Sequence, residues 1–92
     1  MSGPADRDLS GIIDHTVRQW GKAQAKTYVS QIRETIAKLA EAPNLVADEV
    51  IDGMIFKRRR SGHHLVYAHV AGPRLIVARI LHERMDATIQ FN

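Results

Sequence analysis

The chain contains no cysteine, which excludes both a disulfide framework and a thiolate zinc site. Its five histidines show no ligand spacing that would replace one, so no metal is expected. No run approaches the roughly twenty apolar residues needed to span a bilayer, and Met1–Leu9 lacks the apolar centre of a signal peptide. A soluble protein of the cytoplasm is the expectation. Glycine-rich nucleotide loops and nucleophile elbows are missing, so no cofactor and no familiar hydrolase chemistry are implied. Internal repeats, low-complexity stretches and interdomain linkers are missing as well, and 92 residues make one domain, residues 1–92, with a single core.

What is present is an ordinary globular composition, with 45% hydrophobic and 25% charged residues, and this excludes global disorder. The formal charge is +3, and six of the 13 basic residues lie in Lys57–Arg60 and the pair Arg79 and Arg84. Such a balance permits an acidic partner, nucleic acid or protein, without choosing between them.

Pro4 suits the first position of a helix, where its missing N–H has no bond to lose, and Asp6 and Asp8 sit near the positive end of the helix dipole. Leu9, Ile12, Ile13, Val17 and Trp20 form a helical stripe, which predicts a helix over residues 4–20 ended by Gly21. Ala25, Tyr28, Val29, Ile32, Ile36, Leu39 and Ala40 repeat at three- and four-residue spacing and predict a second helix over 22–41, its polar face carrying the Glu34–Lys38 pair. A connection as short as Gly21 folds the two into a hairpin. Residues 45–53 read as a loop with three acids. After Gly53 the period changes to two, which predicts strands over 54–59, 63–70 and 75–82, a turn at Arg60-Ser61-Gly62, another at Ala71–Arg74, and a tail over 83–92. The fold class is α+β, a helical hairpin packed on one face of a three-stranded antiparallel sheet.

Alternation places Met54, Phe56, Val66, Ala68, Val70, Ile76, Ala78 and Ile80 beneath the helices. Lys57, Arg59, Tyr67, His69 and Arg79 then share the opposite face with Ile55, Leu65, Val77 and Leu81. A face that mixes aliphatic floor and cations fits an amphipathic acidic peptide or a nucleic-acid backbone. The plainer reading is that long solvated side chains cover that face with their stems. Lys57–Arg60, beside a turn, equally protects strand edges. Arg79, in the middle of an apolar strand, must reach solvent, a partner or an anion, because an unpaired buried guanidinium is very costly. His63 and His64 point to opposite sides of a strand and cannot share one metal, while His15, Trp20 and Tyr28 read as core or boundary residues. Tyr67, His69, His82, Lys57 and Arg79 can be cast as the acid, base and phosphate cations of a ribonuclease, but no carboxylate falls on their face and no spacing is diagnostic, so no catalytic residue is assigned.

Several segments together resemble a family. Ala5-Asp6-Arg7-Asp8-Leu9, Trp20-Gly21-Lys22-Ala23-Gln24-Ala25 with Tyr28, Leu39–Pro43, His64–Tyr67 and, above all, Arg79-Ile80-Leu81-His82-Glu83-Arg84-Met85-Asp86 are similar to ParE toxins of the RelE/ParE superfamily. The resemblance covers residues 2 to about 86. It implies a bacterial type II toxin that inhibits DNA gyrase, trapping cleaved DNA and blocking replication, and that is neutralised by a tightly bound, acidic and amphipathic ParD-like antitoxin. No membrane and no sequence-specific nucleic acid is implied as partner, and no enzymatic activity. Carried over by residue, the toxic segment maps to Arg79, His82, Arg84, Met85 and Asp86. The antitoxin's C-terminal segment is expected across the first helix and the open sheet face, at Lys57, Arg59, Tyr67 and Arg79. Two alternatives stand beside this: a RelE-like nuclease that cuts messenger RNA on the ribosome, and a non-toxic remnant that only binds antitoxin. ParE-like chains usually begin with a short strand, whereas only Met1 precedes Ser2 here: either the chain is truncated or the family's first strand is missing or very short, and the second case leaves an unpaired sheet edge.

Overall fold

The computed structural model describes residues 1–91. Helix α1 spans Gly3–Trp20 and α2 spans Lys22–Glu41, within one residue of the boundaries that periodicity predicts. Ser2 caps α1, its Oγ accepting from the Ala5 N–H at 3.1 Å, which satisfies one of the unpaired donors of the first turn. Gly21, at φ 89°, turns the chain between the helices. A short 3₁₀ turn, Pro43–Leu45, leads to the sheet.

The sheet has four antiparallel strands in sequence order, not three: β1 Asp48–Ile51, β2 Met54–Ser61, β3 His64–Ala71 and β4 Arg74–His82. The additional strand, β1, lies in the stretch expected to be a loop. Its signal is Asp52-Gly53, a two-residue turn with φ 52° and 80°, between the paired residues Ile51 and Met54. Positive φ at both central residues is the hairpin turn whose twist matches the flanking strands, and Asp-Gly is among its preferred sequences.

The β2–β3 turn is Gly62-His63, one residue later than expected, because Ser61 pairs with His64. A slip of one residue sends every side chain of a strand to the other face. Lys57 therefore stands opposite Ala68 and Arg59 opposite Val66, both on the helix side, while Phe56 joins Tyr67 on the outer side. A second reversal comes from a bulge in the β3–β4 ladder. Tyr67 pairs with Arg79 and Ala68 with Val77, so Ala78 has no opposite number and the strand before it changes face. Val77 and Leu75 point to the helices, and Ala78 packs on the outer cluster, the reverse of strict alternation.

Two apolar clusters result. Ala5, Leu9 and Ile12 of α1 and Ile32 and Leu39 of α2 meet Val66, Ala68, Val77 and Ile80 on the helix side. On the outer side, Ile51, Phe56, Tyr67 and Leu81 are buried beneath the end of the chain, where a four-residue helix α3, Ala87–Gln90, brings Phe91 onto the sheet. The edge of β4 is not bare. The Ser2 N–H donates to the Val77 carbonyl at 3.0 Å and the Ser2 hydroxyl to the Ala78 carbonyl at 2.8 Å, and the Ile80 N–H donates to the Asp8 carboxylate at 2.9 Å. Main-chain groups that would otherwise template another strand are thus engaged by α1 and its cap.

Candidate functional site

Arg79 is the residue on which the surroundings of the tail converge. The requirement that a mid-strand arginine find an anion is met by Asp8, one turn into α1. Its carboxylate accepts from Arg79 Nε at 2.7 Å and from Nη2 at 2.9 Å, a bidentate pair with both side chains less than a fifth exposed. Arg79 Nη1 donates to the Gln90 carbonyl at 2.7 Å, so the same guanidinium ties the end of α3 to the sheet. The bonds to Asp8 raise the Arg79 pKa further above its ordinary value, and the side chain is a permanent cation. Asp8 also holds the Ile80 N–H, and one carboxylate therefore links α1, the edge of β4 and, through Arg79, the C-terminal helix.

Beyond β4 the chain turns sharply. The Met85 N–H donates to the His82 carbonyl at 2.9 Å, the Arg84 N–H to His82 Nδ1 at 3.2 Å, and the Glu83 N–H to the His63 carbonyl at 2.9 Å. Glu83 also binds Arg60 and approaches His63 Nδ1 at 3.5 Å, and the Arg60 guanidinium holds its carboxyl below the usual carboxylate range. A braced turn of this kind leaves Arg84 and Met85 exposed. Asp86 is spent locally, its side chain accepting from the Thr88 N–H at 3.0 Å as the N-cap of α3.

The residues expected to share an open face do not share one. Tyr67 is only 3% exposed, because Phe91 covers it edge to face at 5.6 Å and lies against Phe56 at 4.5 Å. Burial raises the Tyr67 pKa, the Glu49 charge adds to this, and Arg58 opposes it. Lys57 and Arg59 are on the other side of the sheet, where Lys57 pairs with Asp48 at 2.6 Å. Arg58 meets Glu49 at 3.1 Å, so acids from β1 and from the β4 exit compensate much of the Lys57–Arg60 charge, and Arg59 stays exposed. Arg79 and Tyr67 are brought together as a cross-strand pair. Two participants escaped the reading of residues. Asp8 lies beside the Ala5, Leu9 and Ile12 stripe, and that helical position was its signal; Phe91, in a short polar tail, offered only its hydrophobicity.

A helical hairpin on one face of an antiparallel meander, with a charged tail leaving the last strand, is a small α+β protein. Comparison identifies the kind. The family model described as ParE toxin of type II toxin–antitoxin system, parDE, matches residues 1–87. Among curated proteins, the chain is 39% identical to Toxin ParE of Escherichia coli over 90 residues, covering 94% of this chain and 84% of that one. It is 32% identical to Toxin ParE1 of Caulobacter vibrioides over 87 residues, covering 95% and 90%. A solved structure of the chromosomal ParDE system from P. aeruginosa shares the fold with a TM-score of 0.76 at 24% identity, covering 88% of this chain and 89% of that one. The chain belongs to the ParE toxin family of type II toxin–antitoxin systems.

Proposed function

We propose that this protein is a cytoplasmic bacterial toxin that inhibits DNA gyrase by a binding, non-enzymatic action of the segment after β4, and that a ParD-like antitoxin neutralises it. The observation that carries the reading, within a ParE family member, is the braced exit: His82 and Glu83 are held by hydrogen bonds while Arg84 and Met85 project. An exposed cation beside an exposed, adaptable apolar side chain is a compact recognition element. Arg79 acts as the anchor that keeps this exit and α3 in place, and Asp86 as the cap that restarts the chain after it.

Against the ribonuclease alternative, Tyr67 is covered by Phe91 and Arg79 is engaged by Asp8. For the antitoxin, the accessible residue of the expected set is Arg59, on the helix side of the sheet together with the exposed aliphatics Val50 and Ile55, which stand opposite each other on β1 and β2. An acidic amphipathic segment complements that mixture. Tyr67 and Arg79, on the outer face, become available to a partner only if α3 is displaced. Purified protein incubated with gyrase, ATP and relaxed plasmid is expected to block supercoiling and accumulate linear DNA. Full supercoiling at excess protein would contradict the gyrase reading, and specific cleavage of messenger RNA in a translating extract would favour the alternative.

A further inference from the structure

His82 and Glu83, which hold the exit after β4, are themselves held from behind by one side chain of α2. The Tyr28 hydroxyl accepts from the His63 N–H at 3.1 Å in the Gly62-His63 turn, and the carbonyl of the same His63 accepts from the Glu83 N–H at 2.9 Å. The hydroxyl also lies 2.6 Å from His64 Nδ1, and the His64 ring meets the His82 ring edge to face at 5.3 Å. His82 in turn accepts from the Arg84 N–H through Nδ1 and from the Met85 N–H through its carbonyl. We propose, in an inference that rests on the toxin reading, that Tyr28 is a positioning residue for the toxic segment. Its hydroxyl fixes the β2–β3 turn, and the turn fixes the direction in which Arg84 and Met85 project.

A phenolic hydroxyl carries one proton and accepts at its oxygen, so it serves the His63 N–H and His64 Nδ1 together, donating to a bare ring nitrogen or accepting from a protonated one. Burial raises the Tyr28 pKa, which keeps the group a hydroxyl near neutral pH. The ring is seated against the turn itself, since Gly62 has φ 58° and a Cβ there would lie 2.8 Å from the ring. Two routes then lead from one oxygen to the exit, a main-chain route ending on Glu83 and a side-chain route ending on His82. Among the described residues, no other side chain of α1 or α2 hydrogen-bonds to the β2–β3 turn or to residues 82–86. Arg79 ties down the far end of the terminal segment at Gln90, and Tyr28 secures its near end.

Tyr28→Phe keeps the ring over Gly62 and removes only the hydroxyl. In amide hydrogen exchange on the full chain, Glu83 and Met85 are expected to exchange about five- to tenfold faster than in the parent, the effect of losing one net hydrogen bond, while Val66 and Ala68 in the core keep the parent's rates. The concentration of protein that half-inhibits gyrase supercoiling should rise by a similar factor. Val29→Ala, the neighbouring position of α2 and packed on the helix-side core, controls for a merely structural effect. It should lower the melting temperature more than Tyr28→Phe does, yet leave exchange at Glu83 and Met85 and the half-inhibitory concentration unchanged. Parent exchange rates at Glu83 and Met85 in Tyr28→Phe would overturn the proposal, and so would faster exchange there with undiminished inhibition. If the parent chain leaves gyrase untouched, the toxin reading fails by itself, and the exchange rates alone then decide whether Tyr28 positions the exit.

Discussion

On the helix side of the sheet, Val66, Ala68, Val77 and Ile80 meet the apolar stripes of two helices of 18 and 20 residues. On the outer side, Phe56, Tyr67 and Leu81 meet one helix of four residues and a single phenylalanine. The first closure rests on area, spread over many side chains and insensitive to any one hydrogen bond. The second rests on aromatic contact and on a guanidinium bonded to Asp8 and to the Gln90 carbonyl. The difference teaches that the two faces open at different cost. The helix side is the folding core, and the smaller outer cover is expected to open at lower cost than the core, as low-stability segments do.

The largest expected effect tests the core. Ile32→Ala removes a fully buried side chain and should destabilise the domain by about 3–4 kcal/mol, in the range for large-to-small core changes, measured by urea unfolding. Asp8→Ala tests the joint between the faces. It leaves Arg79 without its counter-ion and the Ile80 N–H without an acceptor, and about 2–3 kcal/mol should be lost, less than for a wholly buried pair because both side chains keep some solvent. Phe91→Ala should cost only about 1–2 kcal/mol, since the ring is half-buried, and hydrogen exchange should show loss of protection confined to residues 87–91 and the outer face. Global loss of protection in that variant would erase the distinction between cover and core.

The smallest effect concerns pH. His64 has a folded pKa depressed to about 4 from 6.5. Its neutral form is favoured by the fold, so this contribution is complete above pH 6.5 and is lost as pH falls from 6.5 toward 4. The ring is half-buried, and solvent screening keeps the loss on the order of 1 kcal/mol. His64→Gln should flatten the urea midpoint against pH over that window. An unchanged slope would place the acid sensitivity elsewhere.

How much of this was legible in the residues depended on what sets each feature. The helices were, because a stripe such as Ala25, Tyr28, Val29, Ile32, Ile36 and Leu39 is set locally by a 3.6 period. Three of the four strands were legible to within a residue or two while β1 was read as loop, and the faces of the strands were not legible. A turn at Gly62-His63 instead of Arg60-Ser61-Gly62 reverses β2, and the bulge at Ala78 reverses half of β4. Both depend on pairing between strands, which alternation along one strand does not encode. The place of Gly62 is fixed by a tertiary contact: its φ is 58° and an added Cβ would lie 2.8 Å from the Tyr28 ring. Arg79 announced that it needed an anion, but not that Asp8, 71 positions away, would supply it. Of the segment assigned to toxicity by family resemblance, the fold gives Arg79, His82 and Asp86 structural bonds and leaves Arg84 and Met85 outward.

That division of labour makes the central functional claim testable in one measurement. The double variant Arg84→Ala, Met85→Ala alters only exposed side chains of the turn, so its melting curve should match that of the parent chain. In a gyrase cleavage assay with equal amounts of each protein, the parent should accumulate linear DNA and the double variant should leave the plasmid supercoiled. Linear DNA at the parent's level from a correctly folded double variant would contradict the assignment of the toxic action to the exit after β4.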